Sequence, residues 1–144
     1  MSLHTGSTKL SLFAILFISA GLRFYGLDWG TDPETGVFHR FHPDETTVVE
    51  SAEWVGVDLH RIVAPYGKAP MYFLWAVGQI VYAATGSNPL IEKDNLSIRR
   101  AHLLGRGISA TLGTLTVLVV FLIGCRIGGR PTGLLAAALL GSCA

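Results

Sequence analysis

The stretch Gly107–Cys125, GISATLGTLTVLVVFLIGC, decides the fold class of this chain. Its nineteen residues carry no charge and are rich in leucine and valine, and an arginine stands at each side of them, Arg106 and Arg126. A helix of roughly 20 apolar residues is long enough to cross the hydrocarbon core of a bilayer. The stretch therefore predicts a transmembrane helix, and the rest of the layout follows from it.

Apolar runs lie on both sides of this stretch. Leu10–Leu27 is interrupted only by Arg23, whose long side chain we expect to reach lipid headgroups. After the glycine-containing turn Arg126–Pro131, Thr132–Ala144 begins another apolar helix. The predicted layout is a first transmembrane helix in residues 1–28, a second in 105–127 and the start of a third in 131–144. Since thirteen residues are too few for a span, we expect the sequence to be the front part of a longer protein.

Composition agrees with an all-α integral membrane protein. Half of the 144 residues are hydrophobic and only 15% are charged, whereas soluble domains carry about 25%. The net charge of +1 argues against a nucleic-acid-binding protein, which would present a basic face. All ten acidic residues fall between Asp28 and Asp94, so residues 29–104 are predicted to form an aqueous loop between the spans.

Two questions stay open at this level. The first apolar run could instead be a signal peptide, with Lys9 before its core and Ser19-Ala20 at a cleavage site. The basic residues also give conflicting orientations. A cytoplasmic N-terminus suits Lys9, Arg126 and Arg130 but places three others outside, against the positive-inside rule: Arg99, Arg100 and Arg106.

Two helices are predicted inside the loop. His42-Pro43-Asp44-Glu45 is typical of a helix start, with proline at the first helical position and acids in the first turn. An apolar stripe at helical spacing follows, which predicts an amphipathic helix: Val48, Ala52, Val55 and Leu59. Met71–Ala84 is uncharged and aromatic but short for a span, so we expect it to lie at the membrane interface rather than cross it.

Asp44 and Glu45 are the strongest catalytic candidates. On a helix, adjacent side chains point about 100° apart, so one carboxylate could act as a general base while the other supports it. The competing interpretation is an ordinary helix N-terminus. A metal cluster is suggested by residue type, but the spacing of its members matches no known signature: His39, His42, Asp44 and Glu45. A divalent cation shared between Asp44 and a phosphate is the more plausible metal alternative.

Two basic residues are candidates for phosphate binding, and three histidines are not assigned a chemical role. Lys68 and Arg106 could each meet an anionic phosphate or, equally, lipid headgroups. His4, His60 and His102 are interpreted as surface or interface residues.

Taken in order, several segments resemble the membrane glycosyltransferases that use polyprenyl-phosphate sugars. The resemblance is to the protein O-mannosyltransferase and lipid A aminoarabinose transferase group of the GT-C fold. It covers nearly the whole chain, and one departure is Ala69, where the family often has proline. The matching segments are Leu22–Leu27, His42–Glu45, Tyr66–Tyr72, Arg106–Ala110 with Gly113 and Val117, and Gly133–Ala137.

The resemblance implies a function and a topology. It implies a cell-membrane protein with a cytoplasmic N-terminus and with residues 29–104 outside the cytoplasm, carrying helices along the membrane. Asp44 would activate an acceptor hydroxyl on a protein, lipid or glycan, and that hydroxyl would attack the sugar of a polyprenyl-phosphate donor with inversion. Glu45 would support Asp44, while His42, Lys68 and Arg106 would bind substrate or phosphate. The family has more spans than this chain, so we expect this part alone to be inactive.

Two other functions are compatible with the sequence. The chain could be a small non-enzymatic membrane accessory or assembly protein that uses small residues as packing faces: Gly105, Gly113 and Ala136–Ala138. It could also belong to a transporter with Asp44 on an ion path, although the position of Asp44 in a loop rather than in a span counts against this.

Overall fold

The computed structural model describes residues 3–40, 42–62, 67–91 and 94–143, with side chains described from residue 6 onward. Within these ranges the chain is helical and has no strand, which confirms the all-α prediction. The helices are α1 (Leu3–Phe24), α2 (Pro43–Glu53), a 3-10 helix (Leu59–Arg61), α3 (Ala69–Thr85) and α4 (Asn95–Ser142). One isolated antiparallel bridge joins Thr31 and Phe38 in the turn-rich segment before α2.

Helix α4 is broken at the predicted turn. Gly128 and Gly129 have non-helical backbone angles, with φ +81° and ψ −177° at Gly129, and Pro131 follows. A Cβ at Gly124 would lie 2.8 Å from the Cα of Gly133, so the chain reverses and the two arms of α4 pack closely. The arms cover residues 95–127 and 130–142. The first arm begins about ten residues before the predicted second transmembrane helix, because Asn95–Arg106 is helical as well.

Contacts divide the chain into two compact units. The terminal unit contains residues 1–27 and 107–144, and the central unit contains residues 28–106.

The terminal unit packs α1 against both arms of α4. Its core contains Val117, Phe121 and Ala137, with Leu12 and Ile15 of α1 packed against it. Outward-facing side chains of α1 are large and apolar, and Leu10, Phe13 and Phe17 are each about 70% exposed. Both α1 and α4 are long and apolar enough to cross a membrane, and no other helix in the described ranges is.

Arg23 does not extend outward as the sequence suggested. Its guanidinium donates hydrogen bonds to the carbonyl oxygens of Leu140 (3.1 Å), Gly141 (3.2 Å) and Cys143 (2.8 Å). The last carbonyls of a helix lack intrahelical partners, and basic side chains are suited to them. Arg23 therefore caps the second arm of α4, an interaction that sequence spacing alone does not indicate.

The central unit is built around α2 and α3. Buried side chains from α2, α3 and the start of α4 form its core, together with Phe38, Val55 and Leu90: Val49, Ala52, Met71, Leu74 and Ala101. Gly78 of α3 permits the close approach of residues 88–91, because a Cβ there would lie 2.7 Å from Leu90 Cδ1. The predicted stripe of α2 is confirmed at Ala52. Because α2 ends at Glu53, Val55 is buried just beyond the helix and Leu59 is half exposed.

Candidate functional site

The first turn of α2 positions the two candidate carboxylates. His42 is the N-cap residue in an extended conformation, and Pro43 is the first residue of the helix, as the sequence predicted. The His42 side chain makes no capping hydrogen bond. Asp44 and Glu45 both lie in the first turn, where carboxylates are stabilised by the positive end of the helix dipole.

Glu45 and Arg106 form a two-point ion pair. Arg106 Nε donates to Glu45 Oε1 at 2.7 Å, and Nη2 donates to Oε2 at 3.1 Å. The remaining terminal nitrogen, Nη1, donates to the backbone oxygen of Trp29 at 2.7 Å. Only 10% of the Arg106 side chain and 23% of the Glu45 side chain are exposed. The paired, parallel hydrogen bonds fix the orientation of Glu45, which a single point charge would not do.

Aromatic rings enclose this pair. The Arg106 guanidinium carbon lies 4.7 Å from the centroid of the Trp29 ring and 5.3 Å from that of Phe38. The His42 ring meets Trp29 edge-on, with ring centroids 5.9 Å apart. A guanidinium between aromatic faces gains cation–π attraction while water is kept from the ion pair.

His102 is a member of the cluster, and its interpretation as a surface or interface residue was wrong. It is 1% exposed, and its ring lies 5.1 Å from that of Phe38. Its Nδ1 atom lies 3.1 Å from Glu45 Oε1 but is not aligned for a hydrogen bond, so this buried nitrogen has no well-formed partner in the described structure. His102 and Arg106 are four residues apart on α4, which places both on one helix face toward Glu45.

The cluster favours the charged form of Glu45. Burial raises the pKa of the Glu45 carboxyl, but the hydrogen bonds and charge of Arg106, aided by His102, outweigh burial and leave the pKa below its ordinary value. Glu45 is therefore an ionised, oriented carboxylate at neutral pH. This makes it a poor proton acceptor and a good positioning residue.

A second ion pair in the central unit was not predicted. Arg99 Nε donates to Asp28 Oδ1 at 2.9 Å, and Arg99 Nη2 also bonds Asp28 Oδ2. These hydrogen bonds, with a smaller contribution from Thr31, lower the pKa of Asp28. Together the two pairs tie the segment before α2 and α2 itself to the beginning of α4.

The remaining candidates lie in different surroundings. Asp44 is exposed on the same turn as Glu45. Lys68 is the exposed N-cap residue of α3, and among the described residues no hydrogen bond or ion pair joins it to Glu45 or Arg106. No group of three metal-ligating side chains forms within the described ranges, so His39, His42, Asp44 and Glu45 do not assemble into a metal centre there. A cation shared between Asp44 and a phosphate stays a prediction.

A polar cavity of about 350 Å³ lies beside the cluster. His102 lines it, as do the exposed pair Arg40–Glu50 (2.7 Å), Glu53 and Trp54. Charged groups of both signs and an aromatic face suit a polar, hydroxyl-bearing ligand better than an apolar one. Because His102 contacts Glu45 as well, it connects this cavity to the ion pair.

Comparison of the sequence with protein-family models, and comparison of the chain with curated proteins and with solved structures, gives no match. Functional assignment therefore depends on the residues themselves.

Proposed function

We propose that this chain is the N-terminal part of a membrane glycosyltransferase that moves a sugar from a polyprenyl-phosphate donor to an acceptor hydroxyl. The observation that carries the proposal is the ion pair between Glu45 and Arg106. It fixes the first turn of α2 through two hydrogen bonds, and Asp44 stands exposed on that same turn. The two adjacent carboxylates thus have different environments: Glu45 is mostly buried in an ion pair and Asp44 is exposed to solvent.

The division of roles follows from these environments. Asp44 accepts the proton of the acceptor hydroxyl as its oxygen bonds to the anomeric carbon. The bond from that carbon to the donor phosphate breaks, and polyprenyl phosphate leaves with the electron pair, which inverts the configuration. Glu45 positions the turn and does not touch the reacting atoms.

Phosphate binding is assigned chiefly to Lys68. An arginine has five N–H donors, and Arg106 already uses three of them on Glu45 and Trp29. The main role of Arg106 is therefore to hold Glu45. His42, packed edge-on against Trp29, lies beside the same turn and contributes a contact to the acceptor.

The membrane setting is supported by α1 and α4, which are long and apolar enough to cross a bilayer. The alternative of a non-enzymatic accessory protein relies on small residues that pack against a partner. Ala137 is buried in the terminal unit, and a Cβ at Gly113 would lie 2.9 Å from Arg23 Nε. Ala137 and Gly113 are therefore already covered within the chain, whereas Ala138 is exposed and Gly105 has open space around its Cα.

The test is sugar transfer by membranes containing the protein translated from its whole reading frame, supplied with labelled polyprenyl-phosphate sugars. Asp44→Asn is expected to lower turnover by about 100-fold or more, since general-base catalysis is typically worth that much. Glu34→Gln, an exposed acid in the preceding loop, is the matched control and should leave turnover unchanged. Wild-type turnover by Asp44→Asn would remove Asp44 from the mechanism.

A further inference from the structure

The central unit contains a second, largely apolar cavity of about 370 Å³. It lies between the end of α2, α3 and residues 88–91, and Glu53, Gln79 and Asn88 supply its few polar walls. Its volume falls in the range of small-molecule binding sites. The apolar walls come from Trp54, Val55, Val57, Trp75, Leu90 and Ile91.

The walls of this cavity are fixed by local structure. Gly56 has φ +82°, a conformation that suits glycine, and a Cβ there would lie 3.6 Å from the Trp75 ring. Asn88 is 4% exposed, and its side-chain oxygen accepts a hydrogen bond from the backbone of Leu90 at 3.0 Å. The space is therefore a built feature of the unit.

An ion pair lies next to Trp54, one of the wall residues of the cavity. The Arg61 guanidinium lies 4.3 Å from the centroid of the Trp54 ring, and Arg61 Nε lies 3.4 Å from Asp58 Oδ2. The Arg61 side chain is 60% exposed and that of Asp58 39%, and the apolar wall residues Val57 and Ile91 are exposed. An ion pair beside an apolar cavity is complementary to a headgroup with one negative and one positive group, joined to an apolar chain.

The helices that flank the central unit in sequence indicate a membrane lipid as the source of such a headgroup and apolar chain. The central unit starts at residue 28, just after α1, and ends at residue 106 within α4. Both helices are long and apolar enough to cross a bilayer, so the unit is tethered at both ends to candidate spans. Membrane lipids are then the amphipathic molecules at the highest local concentration.

We propose that this cavity binds an acyl chain of a zwitterionic phospholipid, with Arg61 meeting the phosphate and Asp58 the ammonium group. The acyl chain lies between Trp54 and Trp75 and removes their apolar faces from water. Occupancy of this cavity does not depend on sugar transfer, although Glu53 and Trp54 also line the polar cavity beside Glu45 and Arg106.

Brominated lipids test this because bromine quenches tryptophan fluorescence only on contact. The full chain with Trp29→Phe and Trp54→Phe, leaving Trp75, is reconstituted into phosphatidylglycerol vesicles that contain a minor fraction of brominated phosphatidylethanolamine. If the site binds this lipid, we expect about three times the quenching that random contact would give at the same mole fraction of brominated lipid. A threefold excess corresponds to a modest binding preference. In the reverse arm, brominated phosphatidylglycerol in phosphatidylethanolamine should quench no more than its mole fraction.

Variants separate a site from general lipid contact. Arg61→Gln is expected to remove the excess quenching, and Asp58→Asn to reduce it. Arg126→Gln, an exposed arginine of the terminal unit, should leave it unchanged. Quenching that simply follows mole fraction, equal excess with phosphatidylglycerol, or excess that survives Arg61→Gln each overturns the proposal, provided circular dichroism shows the variants folded.

Discussion

At the scale of single residues, Arg106 joins parts of the central unit that are far apart in sequence. It meets Glu45, 61 positions earlier, and Trp29, 77 positions earlier. Removing one partner of a mostly buried pair leaves the other charge without compensation, which is far more costly than losing an exposed pair. The chain offers both kinds, because Arg40 and Glu50 form an exposed ion pair.

Arg106→Lys should therefore weaken α2 although it preserves the charge. Lysine cannot supply the two parallel hydrogen bonds to Glu45. We expect the free energy of local opening of α2 to fall by about 1–2 kcal/mol. Amide hydrogen exchange across Pro43–Glu53 measures this. Arg40→Lys is the matched control and should cost at most about 0.5 kcal/mol. Equal effects of the two variants would show that the buried pair does not anchor α2.

Acid should weaken the central unit through Glu45. Its pKa is lowered in the folded state, so its ionised form stabilises the fold above the ordinary value of 4.5, and that contribution is lost as the pH falls through the lower folded pKa. Wild type should lose more stability than Glu45→Gln between neutral and acid pH. Thermal unfolding of both proteins across this range measures the difference. Asp28, Asp32 and Asp94 also have lowered pKa values, but they are present in both proteins, so their contributions to the pH dependence cancel. Parallel pH profiles would contradict the assignment.

The residues of this site show what the sequence could and could not indicate. The helix start at His42–Glu45 was predicted correctly because proline and paired acids act locally. The partner of Glu45 was not, since nothing local indicates a contact across 61 positions. The spacing of four between His102 and Arg106 was the available signal, but it has meaning only once residues 95–106 are known to be helical.

At the scale of elements, glycine and proline determine where the helices end. Gly86 closes α3 in a left-handed conformation, and Gly128-Gly129 divides α4, both at punctuation visible in the sequence. The early start of α4 was missed because Asn95–Arg106 is polar and carries no apolar signal of a span. Three of its side chains instead contact carboxylates within the central unit: Arg99 contacts Asp28, and His102 and Arg106 contact Glu45.

Gly129→Ala tests the reversal within α4. The combination of φ +81° and ψ −177° is essentially restricted to glycine, and a side chain there costs about 1–3 kcal/mol. We expect that loss in the free energy of unfolding measured in mixed detergent micelles. Gly21→Ala in α1 is the control, because its added methyl group meets nothing within 4 Å and alanine favours a helix. An unchanged stability of Gly129→Ala would mean that the turn adopts another conformation.

At the scale of the whole molecule, the question is which side of a membrane each part of the central unit occupies. Helix α3 has 17 residues and buries Met71, Leu74 and Gly78 within the central unit. Its partly exposed apolar side chains fit an interfacial position, and burial against α2 leaves it part of a compact unit rather than an isolated span. The segments before and after α3 should then lie on the same side.

Cysteine labelling decides this in intact cells expressing the protein. In a background with Cys125→Ser and Cys143→Ser, we introduce Glu34→Cys before α3 or Arg100→Cys after it, both at exposed positions. A membrane-impermeant maleimide should label both from outside. Lys9→Cys should react only after permeabilisation, because it lies near the start of α1, whereas the central unit begins after the end of that helix. Labelling of Glu34→Cys but not Arg100→Cys would make α3 a span. Labelling of neither would place Asp44 in the cytoplasm, away from an external sugar acceptor, and would contradict the proposed function.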